Sequence, residues 1–109
     1  MTEEGSGDQA RYFVVFKGYK IPSTIWGRDT VDLLIQVPGL YPNAKLDMFW
    51  VYPKLTLHDN RIPEGGNTDE NYLDRIWQRF SWHPSNWNPA RDNLTTYLEL
   101  VNHRLHQKR

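Results

Sequence analysis

Ser81 and His83 are two residues apart, and in an extended segment two side chains so spaced leave the chain on the same side. A serine hydroxyl held by an imidazole is a route to acyl transfer or hydrolysis, because the imidazole removes the proton that makes the hydroxyl a poor nucleophile. No acidic residue close by in sequence orients the imidazole. The bland reading of the same pair is therefore a His83 that fixes a loop and a Ser81 that caps a backbone turn. A metal is the other chemistry to consider, since the chain carries His58, His83, His103 and His106. His103 and His106 are three residues apart on a predicted helix, close enough to share an ion. They lie among Arg104, Lys108 and Arg109 with no thiolate or obvious carboxylate partner, and we expect neither a metal site nor a cofactor. Cysteine is absent throughout, which excludes disulfides, thiolate clusters and a thiol nucleophile. Asp59, Glu64, Asp69, Glu70 and Asp74 read as a solvated acidic loop, not as a general acid and base.

Tryptophan beside arginine is a frequent composition of binding hot spots. Trp77, Trp82 and Trp87 recur every five residues, so one face of a helix or strand cannot hold all three, and Arg79 lies between the first two. Trp77, Arg79, Trp82, His83 and Trp87 form the candidate binding set. Basic and aromatic residues interleaved in this way also suit single-stranded nucleic acid. Thirteen basic residues balance thirteen acidic ones, however, which removes the general electrostatic drive that such binding uses, and we expect no nucleic-acid partner. Leu33–Val37, the longest apolar stretch, is interrupted by Gln36 and is too short to span a bilayer. The acidic, polar start is unlike a secretory leader. We expect a cytoplasmic protein with no membrane partner.

The elements that must position these residues follow from hydrophobic period. A chain of 109 residues supports a single small domain, here 11–109, after a disordered tail over 1–10. Arg11–Lys17, Thr30–Val37 and Asp47–Tyr52 are rich in β-branched and aromatic residues and read as strands, the second as a central strand covered on one face. Pro63, Gly65 and Gly66 mark a long loop, about His58–Asn71. Tyr72–Trp82 fits helical spacing and strand alternation equally well. Leu94, Tyr97, Leu98, Val101 and Leu105 recur on one helical face, predicting a helix over Asn88–His106, capped by Asn88 or Asp92, with Leu94, Leu98 and Val101 buried. The expected fold is α+β: an antiparallel four-stranded meander with the C-terminal helix packed on one face.

Pro38-Gly39-Leu40-Tyr41-Pro42, the strand Met48–Tyr52, and Trp87-Asn88-Pro89 at the helix start resemble, in order and spacing, the core of ubiquitin-conjugating enzymes. With Asp47–Val51, Trp77–His83 and Trp87–Leu94 added, the pattern is similar to a bacterial branch, the prokaryotic ubiquitin-conjugating-like family E. The resemblance covers roughly residues 12–106. It places the usual catalytic cysteine near Arg79–Phe80, where this chain has no sulfur, and since residues 1–10 cannot form a helix of useful length, we expect the helix that normally precedes the first strand to be missing. The resemblance implies a non-thioester-forming adaptor in a bacterial ubiquitin-like system, binding a ubiquitin-like domain or its C-terminal tail. Its implied partners are a ubiquitin-like protein, possibly tandem, an activating-enzyme homologue and a metalloprotease deubiquitinase homologue. An enzyme using Ser81 and His83 is the alternative, and a module that scaffolds tandem ubiquitin-like chains a further one.

Overall fold

Successive side chains of a strand point to opposite faces, and the strand Thr30–Pro38 (β3) uses both. Leu33 and Ile35 enter one apolar cluster while Leu34, at 0% exposure, enters a second on the other face. The near-continuous apolar run of this strand thus reflects cover on both faces, not on one. The computed structural model describes residues 2–4, 11–41, 43–57, 59–83 and 86–109. Of the residues singled out in the sequence, Pro42 and His58 lie outside that description, as do residues 1 and 5–10 of the expected tail.

β3 sits inside a six-stranded antiparallel sheet. Its partners are Thr2–Glu4 (β1), Arg11–Lys20 (β2), Phe49–Tyr52 (β4), Thr68–Tyr72 (β5) and Arg75–Phe80 (β6), in the order β1-β2-β3-β4-β6-β5. The first four strands form a meander, and the β5–β6 hairpin then joins through β6, leaving β5 at the edge. The α+β class and the meander agree with the sequence reading, but the count of four strands does not. β1 pairs with residues 11–13 of β2 although it falls within the expected tail. β5 occupies what reads as loop, because an edge strand with one solvated face can be as polar as Thr-Asp-Glu-Asn-Tyr. Tyr72–Trp82 resolves as the end of β5, a turn and β6. Between Phe16 and Tyr19 the β2–β3 register shifts at Gly18, whose φ is +65° and whose N–H donates to Asp32 Oδ1 at 3.1 Å.

The helix Leu94–Leu105 (α2) begins one turn later than the Trp-Asn-Pro sequence implies. Asn88 Oδ1 accepts the Ala90 N–H, and Asp92 accepts the Asn88 N–H, so these residues close a turn of their own. Asn93 then caps α2 through a reciprocal box with Thr96. Tyr97, Val101 and Leu105 pack on Leu33, Ile35, Phe49, Val51 and Phe80, together with a short helix, Ser23–Trp26 (α1). Leu94 and Leu98 are half-buried at the margin of that core, so of the three residues expected inside only Val101 is fully enclosed. The stripe is rotated toward Tyr97 and Leu105.

The chain after β4 is pinned by one buried amide. Gln78, 1% exposed, accepts the Leu55 N–H and donates to the carbonyls of Leu55 and Gly66. A Cβ on Gly66 would sit 3.0 Å from both Gln78 Nε2 and Pro63 Cγ, which is why glycine stands there.

Candidate functional site

Met48 joins three elements through its backbone. It lies in the left-handed region at φ +60°, its N–H donates to the Trp82 carbonyl at 2.9 Å, and its own carbonyl accepts the Tyr97 hydroxyl. The β3–β4 connection, the chain leaving β6 and α2 therefore meet at one point. Burial, and secondarily the charge of Asp47, push the Tyr97 phenol well above its ordinary range, so it stays protonated as a donor. Next to this point Asp47 Oδ1 meets His83 Nδ1, with both side chains reaching solvent. A carboxylate on one imidazole nitrogen fixes the ring and its tautomer, which is the second half of a general-base pair. Asp47 is the acidic orienter that the sequence did not disclose. It is 36 residues from His83, at the start of a predicted strand, so nothing in the local sequence links the two.

The first half of the pair is not assembled. Ser81 is engaged through its backbone, its N–H donating to the Gly65 carbonyl at 2.9 Å, and no hydrogen bond joins it to His83. The binding set divides as well. β6 turns Trp77 and Arg79 to the face away from α2, where Trp77 is buried with Phe13, Leu34 and Trp50. There Arg79 Nη1 donates to Glu70 Oε2 at 3.2 Å, and Glu70 Oε1 accepts the Trp50 indole N–H. Trp82 and Trp87 are half-buried against the α2-side core, near His83 in the chain. The guanidiniums of Arg104 and Arg109 lie 4.9 and 5.4 Å from the Trp82 ring.

The tyrosine of the Tyr-Pro turn belongs to the same end of the molecule. Tyr41 Oη accepts the Leu94 N–H at 2.9 Å, satisfying one of the amides left open at the start of α2. His106 Nδ1 lies 2.8 Å from the Asn102 carbonyl, so that nitrogen is occupied within the chain. Among the described residues no group of three histidines and carboxylates could hold a metal ion, and no helix is long and apolar enough to cross a membrane.

With this geometry in place, the match to known families is informative. The family described as prokaryotic E2 family E matches residues 1–108, and the chain belongs to that family. The sheet with its C-terminal helix is accordingly an E2-like, ubiquitin-conjugating-like fold. No curated protein and no solved structure matches the chain.

Proposed function

We propose that this chain is a non-thioester-forming adaptor of a bacterial ubiquitin-like system, binding a ubiquitin-like domain or its C-terminal tail in the cytoplasm. The observation that carries the reading is a ubiquitin-conjugating-like scaffold in a chain with no cysteine. A thioester requires a thiolate, so what remains for the scaffold is recognition. Trp82, His83 and Trp87 lie together in sequence after β6, where the related enzymes hold their active loop, and two guanidiniums lie beside Trp82. Aromatic surface plus cationic forks suits an extended tail that ends in a carboxylate. A ubiquitin-like protein, single or tandem, is the proposed direct partner. The activating-enzyme and metalloprotease deubiquitinase homologues are proposed as members of the same system.

The second reading, an enzyme using Ser81 and His83, is favoured by one observation, the Asp47 carboxylate on His83. The two are separated by incubating the protein with ATP, an activating enzyme and a ubiquitin-like protein, followed by intact mass measurement. The adaptor reading expects unmodified protein. A base-labile adduct that disappears in Ser81→Ala would establish the enzyme instead.

A further inference from the structure

Asp47 and His83 meet because the backbone slips by one residue. In the β4–β6 ladder Phe49 faces Phe80, and that register carried outward would set Asp47 opposite Trp82. Instead the Met48 N–H donates to the Trp82 carbonyl at 2.9 Å, one residue out of register, which brings Asp47 opposite His83. Met48 takes up the slip at φ +60°, a conformation a methionine adopts only under constraint. Its carbonyl is tied to α2 by the Tyr97 hydroxyl, and the Ser81 N–H is tied to the Gly65 carbonyl, so the segments on either side of the pair are fixed. Irregularities that re-aim a side chain at the end of a ladder are typical of functional sites. An ordinary surface ion pair needs none of this support.

The carboxylate can only accept, so it selects the imidazole tautomer with the proton on Nδ1 and makes Nε2 the basic nitrogen. His83 is 52% exposed, so water reaches the ring. Among the described residues the chain offers Nε2 no nucleophile: Ser81 is not hydrogen-bonded to His83, and there is no thiol. We propose that His83, positioned by Asp47, is the general base for hydrolysis of a thioester whose acyl group is an extended peptide tail carried by another molecule. Water gives a proton to Nε2 as its oxygen bonds the carbonyl carbon. The carbon–sulfur bond then breaks, the leaving thiolate takes the proton back from the imidazolium, and free acid and free thiol result with no acyl group on this chain. A positioned base supplies about 10²–10⁴-fold, which suits an activated acyl group and falls far short of what an amide requires. The base is read from the geometry; only the substrate class rests on the adaptor reading.

The test incubates the full chain with an N-acetylated, glycine-ended hexapeptide as its mercaptoethanesulfonate thioester and follows released thiol with a chromogenic reagent. The chain has no cysteine to contribute to that signal. Wild type should raise the rate about a hundredfold over buffer, and the rate should fall in heavy water because a proton moves with the attack. His83→Ala should return to the buffer rate and recover with added imidazole. Asp47→Asn, which keeps the shape but frees the tautomer, should lose most of the rate with the Trp82 indole resonance unmoved. No acceleration by wild type, or an undiminished rate in His83→Ala, overturns the proposal. An acyl adduct on the chain, or a rate lost in Ser81→Ala, assigns the chemistry to the Ser81 enzyme and removes this one. The adaptor reading fails separately: binding of a ubiquitin-like protein without thiol release removes only the base, and thiol release without such binding removes only the adaptor.

Discussion

Arg104, Asp47 and Asp32 are each matched to something distant in sequence: main-chain oxygens at Glu64 and Arg109, the imidazole of His83, and the guanidinium of Arg75. Pattern reading treats charges as surface, so these three roles were not legible, although Ser81, His83 and the tryptophans were visible as candidates. Arg75 bridges from β6 across the Tyr52 ring, 4.0 Å from its centroid, to Asp32 on β3 at 2.8 Å. That hydrogen bond, opposed by partial burial and aided by the Gly18 N–H, holds the Asp32 carboxyl below the usual carboxylate range. A depressed folded-state value means the stabilisation is fully present above the ordinary carboxylate range and is lost as pH falls through the folded value. Asp32→Asn should therefore flatten the acid side of the stability profile and cost about 0.5–1.5 kcal/mol near neutrality, read from urea midpoints at several pH values. Arg104→Met keeps the volume but leaves the Glu64 and Arg109 oxygens without their donor, so it should cost about 1–3 kcal/mol in the same assay. No loss would show instead that burying this cation costs as much as its hydrogen bonds return.

At the scale of elements, the strongest patterns in the sequence are realised: the strands of the meander and the helical stripe. What failed are the cases where local chemistry competes with period. Asn88 and Asp92 satisfy each other in a turn and delay α2 to Asn93, and β5 is polar enough to pass for loop. Because the α2 stripe is rotated, Leu105→Ala should cost about 2–5 kcal/mol as a core truncation. Leu98→Ala should cost clearly less, since Leu98 is half-buried; thermal unfolding of the two variants gives the order. The β5–β6 hairpin turns on Leu73 and Asp74, both at positive φ (+54° and +60°), a geometry that favours Asn-Gly. A leucine there is strained, and its side chain is 39% exposed, so little burial is at stake. Replacing the pair by Leu73→Asn with Asp74→Gly should raise stability by about 0.5–2 kcal/mol, measured by chemical denaturation.

For the whole molecule, the sheet separates two apolar clusters. The larger carries α1, α2 and the end where Met48, Trp82 and Tyr97 converge; the smaller is closed by aromatic rings and ion pairs instead of a helix. This division explains why five residues adjacent in sequence do not make one site: β6 sends Trp77 and Arg79 to the second cluster, and the chain beyond it returns Trp82 and Trp87 to the first. The family was legible because its short motifs anchor the fold, as Tyr41 does by accepting the first amide of α2. The central claim is recognition of a ubiquitin-like protein at the Trp82 end of the molecule, without covalent transfer. Its most direct test is a titration of the isotope-labelled chain with a ubiquitin-like protein, following backbone and indole resonances. Saturable shifts centred on Trp82, His83, Trp87 and the end of α2 are the predicted result. Shifts confined to Trp50, Tyr72, Trp77 and Arg79 on the opposite face, or none at all, would contradict it.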